Sequence, residues 1–170
     1  PWLKSRIKIP LIAAGGVANG TTLAACLALG ASGVSIGTRF IASTEAQVDP
    51  QYKKAILEST PEDIVLTSRI SGTPAAVINT PFIQKQGLSL TPWLQLLKSQ
   101  SWSKKWITSL IHALGMNALE TAATQPTWKQ VWSAGQSVGL VNDIKSCQEI
   151  IHQIINEYQK AVKNIPPLRV

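Results

Sequence analysis

The sequence predicts an α/β chain built on parallel strands, and three observations carry that prediction. Strand, turn, helix, turn and strand patterns follow one another within about thirty residues, the spacing of a βαβ unit. Both strand-like runs end in glycine turns, Gly15-Gly16 and Gly37-Thr38. Hydrophobic residues make up 45% of the 170-residue chain and charged residues only 15%, a balance suited to elements covered on more than one side.

Ile9 to Ala14 is a short apolar run of β type that stops at Gly15-Gly16. Asn19-Gly20-Thr21-Thr22 carries helix-start chemistry, because Asn or Thr can accept from the first free N–H groups. Leu23 to Leu29 is Ala/Leu-rich and predicts a helix that Gly30 ends. Val34-Ser35-Ile36 is the second strand, parallel to the first because a helix crosses between them. Asp49-Pro50 opens a helix reaching about Ser59, with Pro50 in the first turn. Ile64 to Thr67 and Ala75 to Asn79 flank Ser71-Gly72-Thr73-Pro74 and read as a hairpin or a pair of extended segments. Thr80-Pro81 breaks the second of these runs. Pro92 to about Gln100 and Lys104 to Leu119 read as helices, Gln125-Pro126-Thr127 as a breaker, and Trp128 to Gly139 as mixed. In the last helix, Asp143 is the expected N-cap. Cys147, Ile151, Ile154, Tyr158 and Ala161 form its apolar stripe, widened by Ile150, Ile155 and Val162, and Asn164 with Pro166-Pro167 ends it.

Composition excludes some functions. No run of 18 apolar residues is free of Gly, Ser or Thr, so no transmembrane helix is expected. The net charge of +7 raises nucleic acid as a partner, but the basic residues are scattered. Their densest group, Lys98, Lys104 and Lys105 beside Trp102 and Trp106, fits a helix face packed on a core better than a stacking surface. Cys26 and Cys147 lie far apart without ligand spacing and read as small buried hydrophobes, which favours a reducing, cytoplasmic setting. The opening Pro1-Trp2-Leu3, without Met or leader and close to a strand, is the expected start of a fragment.

The chemistry rests on the two glycine turns. Neighbouring parallel strands lie about 4.8 Å apart, so the turns after them share one edge. Glycine lets the backbone approach a ligand and aim N–H groups at it, and Thr38 adds a hydroxyl donor. Two such turns make a cradle of neutral donors for a phosphate, as after the last two strands of (β/α)₈ enzymes. A helix start near Thr21 or just after Thr38 adds its dipole. The alternative is a pair of ordinary tight turns.

Pro10-Leu11-Ile12-Ala13-Ala14-Gly15-Gly16-Val17-Ala18-Asn19-Gly20, followed by Ala28-Leu29-Gly30-Ala31-Ser32-Gly33-Val34-Ser35-Ile36-Gly37-Thr38-Arg39-Phe40, resembles the nitronate monooxygenase (2-nitropropane dioxygenase-like) family. Thr67-Ser68-Arg69-Ile70-Ser71-Gly72-Thr73-Pro74-Ala75-Ala76 is similar to the family's Ser-Gly-x-Pro-Ala segment. Trp132-Ser133-Ala134-Gly135-Gln136-Ser137-Val138-Gly139 is similar to its late Ala-Gly-Gln motif. The resemblance implies the C-terminal portion of a (β/α)₈ TIM barrel, its last two strands, followed by a mostly helical added region. The implied divisions are residues 1–62 for the barrel end, 63–127 for the added hairpin and helices, and 128–170 for the late motif and final helix.

The implied cofactor is FMN. Gly16, supported by Gly15, would give its backbone to the FMN phosphate, and Ser35, Ile36, Gly37 and Thr38 would hold the same phosphate from the next strand. The family often has Gln and Met where Ser35 and Ile36 stand, and arginines where Thr73 and Ala76 stand. The implied reaction is oxidation of alkyl nitronates by dioxygen to a carbonyl compound and nitrite. The rivals are an NAD(P)H:quinone or enoyl reductase on the same barrel, and a non-catalytic module. The family's usual catalytic histidine belongs to an upstream Gly-rich segment with no counterpart here, so no catalytic residue is assigned and the stretch alone is expected to be inactive. His112 and His152 sit among polar residues and read as solvated. Arg39 is expected on phosphate or on a carboxylate of the covering helix. Glu45 and Asp49 read as a solvated loop before paired carboxylates, and Gln136 as packing or as a group at the flavin or substrate mouth. No Ser-His-Asp, P-loop or zinc spacing is present.

Overall fold

The computed structural model describes residues 1–68, 74–88 and 131–166. The chain divides into two compact units: one joins Pro1–Pro61 to Gly135–Val170, and the other spans Glu62–Ala134.

The first unit opens with β1 (Ile12–Ala14), α1 (Gly20–Ala28) and β2 (Gly33–Ser35). The strands are parallel, with Ile12 opposite Gly33, Ala13 opposite Val34 and Ala14 opposite Ser35, as the βαβ spacing predicts. β2 begins one residue before the predicted run and ends one before Ile36. Asn19 and Thr22 together start α1. Asn19 Oδ1 accepts from Thr22 N at 2.9 Å, and Thr22 Oγ1 accepts from Asn19 N at 3.3 Å, so each satisfies an amide the helix leaves open. At the other end Gly30 takes φ +96°, a left-handed value that favours glycine. Gly30 N then reaches Leu27 O and Ala31 N reaches Cys26 O, which uses the last carbonyls of the helix.

After β2 come α2 (Thr38–Ile41) and α3 (Pro50–Glu58). Asp49 caps α3 through Gln51 N at 2.9 Å, and Pro50 fills the first helical position, where no N–H is needed. A 3₁₀ turn at Gln136–Leu140 packs on α2 and α3 and leads to the last helix.

Asp143 does not cap that final helix. Ser146 does, accepting from Glu149 N at 3.2 Å while Glu149 Oε2 accepts from Ser146 N at 2.9 Å. Serine with glutamate three residues on satisfies two amides reciprocally, and the Asp143 carboxylate is drawn instead to two cations. The apolar stripe is also corrected. Ile150 and Ile154 are buried, whereas Ile151, Ile155 and Val162 are exposed. The rotation is set by α1, which packs along this helix. A Cβ on Gly20 would overlap the backbone of Ile154 and Tyr158, so that face is pressed against α1. Cys147 is only half-buried and unpaired, as is Cys26. Val17, Ala18, Ala42, Ile56, Val138 and Val141 complete the core of this unit.

In the second unit, β3 (Ile64–Thr67) and β4 (Ala75–Ile78) are antiparallel, with Ile64 opposite Ile78 and Thr67 opposite Ala75. Ser133 pairs with Val77 as a single antiparallel bridge, and Ile78 N donates to Trp132 O at 2.8 Å. Thr80 caps α4 (Pro81–Gln86), so the predicted break is also a helix start. Val77, Ile78 and Ile83 are buried. The predicted helices at 92–100 and 104–119, the breaker at 125–127 and the Ser71-Gly72-Thr73 stretch lie outside the described residues. We label the final helix, Cys147–Lys163, α5.

Candidate functional site

The parallel register places Ala14 beside Ser35, so the chain leaves both strands at one edge. Gly15-Gly16 follow one strand and Ile36-Gly37-Thr38 the other. Gly15 and Gly16 have φ of +90° and +71°, a conformation that costs any other L-residue about 1–2 kcal/mol. Gly37, at φ −102°, carries no such demand. A Cβ built on Gly15, Gly16 or Gly37 meets no atom within 4 Å. The space above both turns is therefore open, and it is backbone that faces it. Among the described residues, the amides of Gly16, Gly37 and Thr38 take no backbone partner outside their own elements. Amides without a backbone partner beside open space are the kind of group that can donate to a small anion.

The residues beneath the turns are fixed. Val17 and Ala18 are buried under the first, Thr38 and Arg39 under the second. Thr38 Oγ1 accepts from Gly135 N at 3.1 Å, which ties the Ala-Gly-Gln motif to the β2 turn. The Thr38 hydroxyl keeps its proton to donate. Ser35 and Gly37 are exposed and Ile36 is half-buried.

Several amides at the start of α1 are satisfied within the chain. Its first amide, Gly20 N, donates to Glu157 Oε2 at 2.9 Å, and the amides of Ala18 and Asn19 both reach Thr22 Oγ1.

Arg39 pairs with a carboxylate, but that of Asp143 in the loop before α5 and not one on a covering helix. Its guanidinium donates to Asp143 O at 2.7 Å and to Asp143 Oδ1 at 2.5 Å. The Arg39 side chain is 5% exposed and that of Asp143 42%. The hydrogen bond from Lys145, together with the Arg39 charge, holds the Asp143 carboxyl below the usual 3.8 against the opposing effect of burial. A polar cleft of about 160 Å³ opens beside this pair, bordered by Asn19, Asn142, Gln153 and Glu157.

Glu45 and Asp49 do not act as a pair. Glu45 accepts from Cys147 N at 2.8 Å, at the α5 N-terminus, and that amide lowers its pKa. Asp49 caps α3. Gln136 is exposed, with Ser137 and Val138 buried beside it. His152 borders a shallow surface hollow with Lys145, Glu149, Asn156 and Lys160, as its solvated reading requires. His112 and the Lys98 to Trp106 group lie outside the described residues. Among the described residues no group of His, Cys, Asp or Glu is placed to hold a metal ion, and no helix is long and apolar enough to cross a membrane.

The sequence reading missed Glu157, Gln153 and Lys145. Glu157 lies 137 residues from Gly20, and no local pattern links them. The only visible trace is the helical spacing of Gln153 and Glu157 on α5.

A family model described as nitronate monooxygenase matches residues 1–157. A probable nitronate monooxygenase of Staphylococcus saprophyticus is 33% identical, the match covering 92% of this chain and 41% of that protein. A hydroxy-methyl-oxo-octahydroindene-carboxyl-CoA dehydrogenase of Rhodococcus jostii is 28% identical, over 99% of this chain and 55% of that one. Among solved structures, FabK from Thermotoga maritima is 33% identical with a TM-score of 0.69, covering 96% of this chain and 49% of its own. The chain spans about half the length of the curated relatives it matches.

Proposed function

The chain belongs to the nitronate monooxygenase family, and from that premise we propose that the protein is an FMN-dependent oxidoreductase acting on alkyl nitronates. In this reading β1 and β2 are the last two strands of a (β/α)₈ barrel, and the turns after them anchor the FMN phosphate. The observation that carries it is the pair of left-handed glycines, Gly15 and Gly16, in register with the Gly37 turn and facing open space. A Cβ at any of these three glycines would project into that open space, so the residues present leave room for a phosphate group approached by backbone amides.

Gly16, Gly37 and Thr38 hold the phosphate through N–H groups, the Thr38 hydroxyl adds a donor, and Gly15 sets the turn. Ser35 and Ile36 contribute backbone. Arg39 stays on Asp143 and leaves the phosphate to neutral donors. When bound, the flavin supplies the redox chemistry between nitronate and dioxygen, with a carbonyl compound and nitrite as products. This chain orients the cofactor from its phosphate end. His152, exposed on α5, is not the base.

A second reading is an NAD(P)H-dependent quinone or enoyl reductase on the same scaffold; the Rhodococcus jostii relative, named a dehydrogenase and not a monooxygenase, supports redox chemistry other than nitronate oxidation among similar chains. The deciding experiment measures nitronate-dependent oxygen uptake by the intact protein, set against NAD(P)H consumption with quinone or enoyl substrate. Uptake coupled to nitrite release supports the first reading. NAD(P)H turnover without it supports the second. Gly16→Val tests the anchor itself: the flavin absorbance of the purified protein should be lost, and retained flavin would remove the Gly16 turn from the site.

A further inference from the structure

One chain of polar contacts joins the two glycine turns through α5. It starts at Arg39, the residue after Thr38, which donates to Asp143 Oδ1. Asp143 Oδ2 lies 2.6 Å from Lys145 Nζ. Lys145 Nζ donates to Gln153 Oε1 at 2.7 Å, and Gln153 Nε2 to Glu157 Oε1 at 2.7 Å. Glu157 Oε2 then accepts from Gly20 N, four residues past Gly16. Arg39, Asp143, Gln153 and Glu157 of this series border the polar cleft beside α5. Both ends are rigid. Arg39 is buried, and Gly20 lies so close to α5 that its missing side chain is what permits the contact.

We infer that Asp143 and Glu157 are positioning residues that hold the two turns at the separation a phosphate needs. This inference rests on the cofactor reading above. Neither carboxylate touches the ligand. Each acts through the main chain of a turn: Asp143 through Arg39, and Glu157 through Gly20. The spacing of two loops on neighbouring strands is not fixed by the short β1–β2 pairing alone, which ends at Ala14 and Ser35. A brace across their outer side fixes it. The brace also meets the electrostatic requirement, because Glu157 uses the positive end of α1 and Asp143 neutralises Arg39. The anion is thereby left to the open amides.

The test titrates the intact protein with FMN and with riboflavin, which lacks the phosphate, following flavin fluorescence. Glu157→Ala and Asp143→Ala should weaken FMN by about tenfold or more, the effect of losing one charge-assisted bond. Riboflavin affinity should stay within roughly twofold. Glu157→Gln keeps an acceptor for Gly20 N and should restore much of the FMN affinity. Equal losses for both ligands in a variant that unfolds at the parent's temperature, or unchanged FMN binding in both variants, overturn the inference and leave the cofactor reading in place. If the parent protein binds FMN and riboflavin equally and Gly16→Val changes nothing, the cofactor reading falls and the inference falls with it. Thermal unfolding of each variant identifies a loss of fold, which would lower both affinities together.

Discussion

Gly135 N donates to Thr38 Oγ1 at 3.1 Å, so the backbone of the late motif is bonded directly to the turn that follows β2. Thr38→Val keeps the shape and removes the acceptor, stranding a half-buried amide. The expected loss is about 1–3 kcal/mol of unfolding free energy. Thr38→Ser should lose much less. Urea unfolding of the three proteins is the measurement, and equal midpoints for Val and Ser would show that the bond adds nothing.

The two turns differ in what they ask of their glycines. Gly16→Ala forces a side chain into φ +71° and should destabilise by about 1–2 kcal/mol. Gly37→Ala meets neither strain nor a neighbour and should shift stability by about 0.5 kcal/mol or less. On the proposed function both lose flavin. Gly37→Ala is thus the cleaner probe, because an unchanged melting temperature combined with lost flavin absorbance would locate the ligand beside it.

Asp143 sets an acid limit. Its pKa lies below 3.8 in the folded chain, chiefly through the Lys145 hydrogen bond and the Arg39 charge. A depressed carboxylate contributes stability that is complete above the unfolded value and disappears as pH falls through the folded one. The parent protein should exceed Asp143→Asn in stability near neutrality, and the gap should close as pH drops below the ordinary aspartate value. Unfolding midpoints from about pH 6 to about pH 2 test this. A constant gap would mean that the carboxylate charge plays no part.

Gly20→Ala opposes two effects. Alanine favours a helix over glycine by about 1 kcal/mol, but its Cβ would overlap Tyr158 N and Ile154 O and sit 2.5 Å from Glu157 Cβ. Backbone atoms cannot step aside as a flexible side chain can, so overpacking of about 1–3 kcal/mol or more should prevail. A melting temperature above that of the parent would refute the close approach.

Local chemistry in the sequence identifies β1, α1 and β2. Asn19 and Gly30 mark the helix ends, and the glycine turns mark the strand ends. The α5 cap was also written locally, as Ser146 three residues before Glu149, but Asp143 is an equally acceptable capping type and stands nearer the loop. The buried face of α5 was not written there. Ile150, Ile151, Ile154 and Ile155 form one stripe roughly 140° wide, so periodicity gives the apolar face but not which edge of it is covered, and that choice falls to the contact with Gly20. The ties from Arg39 to Asp143 and from Glu157 to Gly20 join residues more than a hundred positions apart. Such pairs follow from tertiary packing and leave no local pattern.

The first unit is assembled from two separated stretches, Pro1–Pro61 and Gly135–Val170. On the ribosome, the strands and α1 emerge before the helix that covers them has been made. At roughly 5–20 residues per second, they wait for several seconds with Gly20 and Arg39 lacking their partners on α5. The bond from Gly20 N to Glu157 can form only once synthesis has passed Glu157.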